Sequence, residues 1–418
     1  MKVMWIVNTI FPYPATVLNQ NKTVFGGWLP SLYESLKNKK DINFAIVTTY
    51  KGEYKKMVDD CTTYYLLPEK NSDKYNKSLY KYWDKIVEEF EPDIVHIHGT
   101  EYPKGLTFMD RFPEIKTIIS IQGLVSNVAD VYYGNIKTSD LIKSISFRDI
   151  VKFNTIFSSQ KDFAKRSVYE KKMLEKSKYV IGKSFWDEAN VLAFNSKAKY
   201  QKINEILRSS FYTDEVWNIK KIQRHSLFCS QASYPIKGLH ILLESMAILK
   251  KDFPDIKLYV SGSKVVDNSS FKNKLKRTGY GKYINNLIRK HNLESNIEFI
   301  GMLNADEVVK QLLQTHVYIS PSFIENESNS LSEASILGLP VVGSYVGGVA
   351  ERIINNESGF SYPATESAML AYHIKTYFEN DDICIKYGLE ARKRYLKINS
   401  IEKNSSDIMK FYQDVNNN

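Results

Sequence analysis

Short runs of β-branched and aromatic residues recur along the chain. Each is followed by a longer stretch whose apolar positions step by three and four, the alternation that builds a parallel sheet with helices on both faces. In the first half the strand-like runs are 3–8, 44–49, 94–98, 117–122 and 179–182, and in the second 226–230, 257–261, 297–300, 317–320 and 340–344. Between them lie helical periods; over 237–253, Leu239, Leu242, Met246 and Leu249 form one apolar stripe. The pattern predicts two doubly wound α/β domains. Residues 192–225 lack a strong apolar run and are rich in Lys, Asn and Ser, which places the junction there. The expected domains are 1–195 and 196–399, the first closed by a helix over 400–415 with Ile401, Ile408, Phe411 and Tyr412 on one face.

Composition narrows the class. The chain has 418 residues, 43% hydrophobic and 25% charged, which is globular and too long for one core. Its formal charge of +10 favours an acidic partner such as a nucleotide, an anionic membrane or a nucleic acid. Two stretches hold that surplus: 161–183, with eight cations against three anions, and 264–290, with eight against one. In the first, Phe163, Val168, Met173 and Leu174 interleave with the charge, so a helix lying on an anionic membrane competes with a plain solvated face. No zinc-finger spacing or aromatic-basic RNA motif accompanies the charge, and nucleic acid is not expected. Three separated cysteines make neither a disulfide framework nor a ligand cluster. The first apolar run is too short for a signal peptide and no stretch reaches spanning length, so the expected location is cytoplasmic, at most peripheral at the inner face of the membrane.

The most informative stretch is 320–340. It starts at a strand end, crosses a polar loop and enters a short helix through Ser328, Asn329 and Ser330, all good N-cap residues, before Gly338 and Pro340 end it. Free amides at that helix start suit phosphate oxygens, and Glu325 and Glu333 flank it as acceptors for sugar hydroxyls. Each piece also has a plain structural explanation, as a cap and as surface glutamates.

The order Glu325, seven residues, Glu333, then Gly338-Leu339-Pro340-Val341-Val342, Gly347-Gly348 and Glu351 resembles the GT-B retaining glycosyltransferases of family 4, glycosyl transferases group 1, among them bacterial surface-polysaccharide enzymes. The resemblance extends to Pro92-Asp93-Ile94-Val95-His96-Ile97-His98-Gly99, to the glycine turn Phe25-Gly26-Gly27, and to Ile300-Gly301-Met302-Leu303. It implies a GT-B fold, two Rossmann-like doubly wound parallel-sheet domains facing a cleft, and a hexosyltransferase-type enzyme. A nucleotide-sugar, by family context a UDP-sugar, would be the donor, with a glycan or lipid-linked glycan as acceptor. No metal or further cofactor is implied. Glu325 would meet the donor sugar, the amides of Ser328, Asn329, Ser330 and Leu331 the sugar and diphosphate, and Glu333 the ribose. Met302 would lie under the base, Gly26 and Gly27 near the phosphates, and His98 on the acceptor side. Gly347-Gly348 also reads as a helix cap with Glu351 as its capping-box partner.

Two positions depart from the family pattern. Gln122 stands where a His is usual; it donates a hydrogen bond but carries no proton. The segment before Lys237-Gly238 lacks the usual Arg, leaving Lys237 as a point charge toward a departing diphosphate. Glu325, Lys237, Gln122 and His98 are therefore the catalytic candidates. Two other readings stay open: a glycosidase using Glu325 and Glu333, and a catalytically silent GT-B-like subunit that binds sugar nucleotides.

Overall fold

The structure, a computed structural model, describes residues 1–19, 27–39, 41–59 and 62–418, the side chains at 271 and 272 excepted. It divides into two compact units. The first comprises Met1–Ala129, Asp162–Leu207 and Asn399–Asn418, and the second Asp130–Lys161 and Arg208–Ile398. The crossing at 207/208 lies within the polar stretch that marked the junction, but the inclusion of 130–161 in the second unit departs from a simple 1–195 boundary. Tertiary bonds hold it there: His240 Nε2 donates to the Gly134 carbonyl at 2.8 Å, and Lys282 Nζ donates to the carbonyls of Lys143 at 2.9 Å and Ile145 at 3.3 Å.

In the first unit the strands are β1 (Lys2–Ile6), β2 (Asn43–Tyr50), β3 (Lys55–Asp59), β4 (Thr62–Pro68), β5 (Ile94–His98), β6 (Thr117–Ser120), β7 (Tyr179–Gly182) and β8 (Lys199–Lys202). Their order is β3-β4-β2-β1-β5-β6-β7-β8, parallel throughout except for the antiparallel β3–β4 pair. The central strand β5 is buried at all five positions, as expected of a strand covered on both faces. The edge strand β8, Lys-Tyr-Gln-Lys, is largely exposed, and its charges blunt the unpaired edge. The terminal helix Ile401–Asn417 packs in this unit. Tyr412 Oη accepts from Trp5 Nε1 at 3.0 Å and so turns its own proton to His96 Nδ1 at 2.6 Å, leaving His96 Nε2 to donate to Ser120 Oγ at 2.7 Å.

In the second unit β9 (Ser226–Ser230), β10 (Lys257–Ser261), β11 (Ile297–Gly301), β12 (Val317–Ser320), β13 (Val341–Ser344) and β14 (Phe360–Tyr362) form an all-parallel sheet in the order β11-β10-β9-β12-β13-β14. The helix Leu239–Leu249 buries the expected stripe, with Leu239, Leu242, Met246 and Leu249 at most 2% exposed. The change from order β10-β9 to β9-β12 puts a switch point between β9 and β12, the place where open α/β sheets take ligands beyond the strand carboxyl ends. Among the described residues no helix is long and apolar enough to cross a membrane.

Candidate functional site

The loops after β9 and β12 meet at that switch point. The chain leaves β9, forms a 3-10 turn at Pro235–Lys237 and closes on Gly238, whose φ is +68°. A Cβ on Gly238 would sit 1.8 Å from the Pro321 carbonyl oxygen, so only glycine lets the two backbones approach this closely. Phe323 N then donates to the Ile236 carbonyl at 2.7 Å, stitching the loops together. The consequence is a contact between residues 88 positions apart: Lys237 Nζ lies 2.6 Å from Glu325 Oε1. Ser322 Oγ donates to the same oxygen at 2.7 Å, so both recorded bonds fall on Oε1 and the lone pairs of Oε2 remain for a ligand hydroxyl. Burial alone would depress the Lys237 ammonium, but the Glu325 carboxylate outweighs it and the pKa ends above its ordinary value. Lys237 is therefore a fixed cation.

Glu325 is held through its backbone as well. Gly348 N donates to the Glu325 carbonyl at 3.0 Å, and Gly347, at φ +48°, would drive a Cβ to 2.1 Å from that same oxygen. The glycine pair thus serves as a cradle for the carboxylate loop, and Gly348 is also the N-cap of the helix Val349–Arg352.

Lys237, Ser322, Glu325, Ser328, Asn329 and Ser330 line one cavity of about 170 Å³ together with the ends of β9 and β12. Ser328 is the N-cap of the helix Asn329–Ile336, and its side chain makes no cap bond, so it does not compete with a ligand at the helix start. Leu331 is fully buried, which confines any role to its amide.

Glu333 departs from expectation. It is absent from the cavity lining, 5% exposed, and held by a bidentate pair from Arg208, with Nε to Oε1 and Nη2 to Oε2 both at 2.8 Å. Burial raises its pKa and Arg208 pulls it only part of the way back. A carboxylate bound on both oxygens is poorly placed to act as acid or nucleophile, which removes the physical basis of the glycosidase reading. Its outer lone pairs can still accept a hydroxyl. A third carboxylate, Glu327, is buried against Arg352 at 2.9 Å. Neither arginine was singled out from sequence. Arg208 lies 125 positions from Glu333, and only the fold brings them together.

The remaining candidates lie elsewhere. Met302 follows β11 just past Gly301, whose φ is +81°, and is 43% exposed outside this cavity. Gly27 is the N-cap of the helix Trp28–Leu36, while Gly26 falls outside the described residues. His98 ends β5 at 2% exposure, 3.8 Å between ring centroids from His96 and 4.6 Å from Trp5. Neither of its nitrogens has a partner among the described residues, and burial keeps its pKa far below the usual histidine value, so the ring is neutral. Gln122 Nε2 is likewise buried without a partner among the described residues. Beside them, the helix Val125–Val131 starts against a buried carboxylate that sequence reading passed over. Glu170 accepts from Val125 N at 2.7 Å, Ser126 N at 2.9 Å, Ser126 Oγ at 2.7 Å and Thr100 Oγ1 at 2.8 Å.

Comparison with known proteins agrees with this layout. Residues 213–394 match the family described as glycosyl transferases group 1. The chain is 24% identical over 399 residues to the uncharacterized glycosyltransferase MJ1178 of Methanocaldococcus jannaschii, covering 93% of this chain and 95% of that one. It is 23% identical over 158 residues to the glycogen synthase of Mycobacterium tuberculosis, covering 38% and 35%. The chain thus spans about a third of the length of that relative. Among solved structures, Anabaena Alr3699/HepE in complex with UDP and glucose superposes with a TM-score of 0.67 at 13% identity, covering 99% of this chain and 100% of that one. The two parallel-sheet α/β units are those of the GT-B fold.

Proposed function

We propose that this chain, whose residues 213–394 match the glycosyl transferases group 1 family, is a retaining glycosyltransferase that moves a hexose from a nucleotide-sugar to a glycan or lipid-linked glycan in polysaccharide synthesis. One observation carries the reading: a lysine, a carboxylate with a free oxygen and an uncapped helix start share a single cavity at the switch point of the second sheet. The first-turn amides suit diphosphate oxygens, Lys237 suits the charge that develops on the departing diphosphate, and Glu325 Oε2 suits a donor hydroxyl. The leaving phosphate oxygen takes the acceptor hydroxyl proton on the same face, so the protein positions substrates and stabilises charge rather than supplying a base. That route needs no proton carrier at Gln122 and is indifferent to the missing arginine if Lys237 and the amides suffice. A UDP-sugar is the favoured donor, in keeping with the UDP and glucose bound by the Anabaena protein. His98 and Gln122, with unpartnered buried nitrogens at strand ends of the first unit, are the proposed acceptor-side groups. The proposed setting is the cytoplasmic face of a membrane.

The test is a ligand-observed NMR titration of the full chain with UDP-, GDP- and ADP-sugars, followed by transfer assays. Lys237→Ala is expected to lower kcat by about 10²–10³, the loss typical for one donor to a developing anion. Glu325→Ala is expected to lose transfer while the chain stays folded, with a melting temperature lowered by the loss of the Lys237 counter-charge. No binding across the panel, or normal turnover by Glu325→Ala, overturns the proposal; the first outcome would also exclude a silent sugar-nucleotide subunit.

A further inference from the structure

The second unit carries an apolar surface that its own packing does not use. The helices Thr138–Ser144 and Phe147–Val151, with the residues that follow, expose Ile142 at 56%, Phe147 at 69%, Ile150 at 60%, Val151 at 54% and Phe153 at 89%. Five large apolar side chains outward within twelve positions is a concentration that globular surfaces rarely tolerate without a partner.

The segment is ordered by its inner face, so this exposure is not fraying. Leu141, Ser144 and Asp149 are buried, and Ser146 and Asp149 form a capping box. The helix Gly279–Lys290 packs beneath it, with Lys282 Nζ donating to the carbonyls of Lys143 and Ile145. A Cβ on Gly279 would lie 2.7 Å from Asp149 Oδ2 and 3.1 Å from the Ser144 carbonyl oxygen, so the two elements touch through backbone. Phe153 adopts φ +49° after the last turn, a costly conformation for an aromatic residue, and it holds that ring in solvent.

The supporting element belongs to the more basic of the two charge runs. Residues 137–153 hold four cations against two anions, and Lys137, Lys143 and Lys152 are exposed. One of the anions, Asp149, is buried beside Arg148 at 3.5 Å. The stretch 161–183, the other candidate, spends its apolar side internally. Met173 and Leu174 are fully buried and Phe163 lies under the Arg166 guanidinium at 4.3 Å, leaving Val168 exposed.

We infer that the face formed by residues 142–153 seats on an anionic lipid bilayer, its five apolar side chains entering the interface while the exposed Lys137, Lys143 and Lys152 of the same segment meet headgroup phosphates. Charge selects this occupant over an apolar protein groove: a second copy of the same face would set its exposed lysines against one another. The inference rests on the proposed function only for what that membrane carries, a lipid-linked acceptor.

The test is co-sedimentation of the full chain with vesicles of phosphatidylcholine alone and of phosphatidylcholine with phosphatidylglycerol at about 7:3, run without donor or acceptor. Binding is expected to the anionic vesicles and to weaken with added salt. Phe147→Ser with Phe153→Ser is expected to lower affinity about a hundredfold, since two aromatic side chains no longer leave water. Phe153→Trp supplies an independent readout, a blue shift in emission on the anionic vesicles alone. Equal binding to both compositions, undiminished binding by the double serine variant, or no blue shift overturns the inference. A dimer in sedimentation equilibrium that the serine variant dissolves assigns the face to a second copy instead and also overturns it. Failure here leaves the donor site standing, and failure of nucleotide-sugar binding leaves this surface standing.

Discussion

Replacing Arg208 with Met isolates what holds the helix Asn329–Ile336 in place. The guanidinium makes two bonds of 2.8 Å to Glu333, whose side chain is 7% exposed while that of Arg208 is 20% exposed. Methionine fills similar space and leaves a buried carboxylate without its counter-charge. Breaking a buried pair from one side costs about 3–5 kcal/mol, and the partial access of water to Arg208 puts the expectation near the lower end, about 3 kcal/mol. For a cooperative unit of 150–250 residues that is a fall in Tm of about 6–12 °C. The penalty carries a signature in pH. Glu333 already has a folded pKa above its ordinary value because burial outweighs Arg208, and removing Arg208 raises it further. For an acid, a raised folded pKa means that the folded state binds the proton more tightly than the unfolded chain. Stability is then highest below the unfolded carboxylate value of about 4.3 and falls as pH rises through the folded value. The deficit of Arg208→Met relative to the native chain should therefore be greatest near neutrality and shrink on acidification. Adding Glu333→Gln, which removes the stranded charge, should restore most of the loss. The assay is urea unfolding of the three proteins across the acid-to-neutral range. A deficit under about 1 kcal/mol at neutral pH, or one that does not change with pH, would show that solvent screens the pair and refute the reasoning.

Two further outcomes follow from the geometry. Gly347→Ala puts a Cβ 2.1 Å from the Glu325 carbonyl at φ +48°, so the carboxylate loop must shift; loss of about 1–3 kcal/mol is expected, with transfer falling more than nucleotide affinity, as steady-state kinetics beside calorimetry would show. Burial keeps His96 and His98 neutral with folded pKa values well below the unfolded 6.5, so unfolding takes up protons as pH drops below that value. Stability should be flat above neutrality and decline on acidification by up to about 1.4 kcal/mol per pH unit for each ring; His98→Asn should reduce that slope by one proton, and an unchanged slope would contradict the buried neutral assignment.

The fold was legible where a strand carries a short β-branched or apolar run. All ten expected runs are strands, even the edge strand β11, Ile-Glu-Phe-Ile-Gly, which has no buried position. The four strands not anticipated are the antiparallel pair β3 and β4, the edge strand β8 and the three-residue β14. β8 reads Lys-Tyr-Gln-Lys because an edge is kept polar, which erases the signal used to find strands. In the same way, Lys237, Glu325 and the helix start were legible because spacing and residue type survive in one dimension. Their supports were not: Arg208 and Arg352 lie far in sequence from Glu333 and Glu327, and an isolated arginine has no local signature. The apolar surface at 142–153 escaped notice for the opposite reason, since Ile and Phe in a helical stretch read as core until burial is known.

Those unforeseen arginines change the electrostatic picture of the proposed donor loop. Read from sequence, Glu325, Glu327 and Glu333 make the segment acidic, so that only the helix-start amides speak for a diphosphate. In the structure each carboxylate is matched by a cation from outside the segment: Lys237, Arg352 and Arg208. The three pairs leave the loop near neutrality, so what a phosphate meets is the set of uncapped amides and a lysine already oriented by its partner. Short-range dipoles in a confined cavity are little screened by salt, whereas Lys137, Lys143 and Lys152 face solvent and are. Nucleotide binding and membrane binding should thus separate on ionic strength. The +10 surplus first suggested a nucleotide as readily as a membrane; we assign its exposed lysines at 137–152 to the second of these.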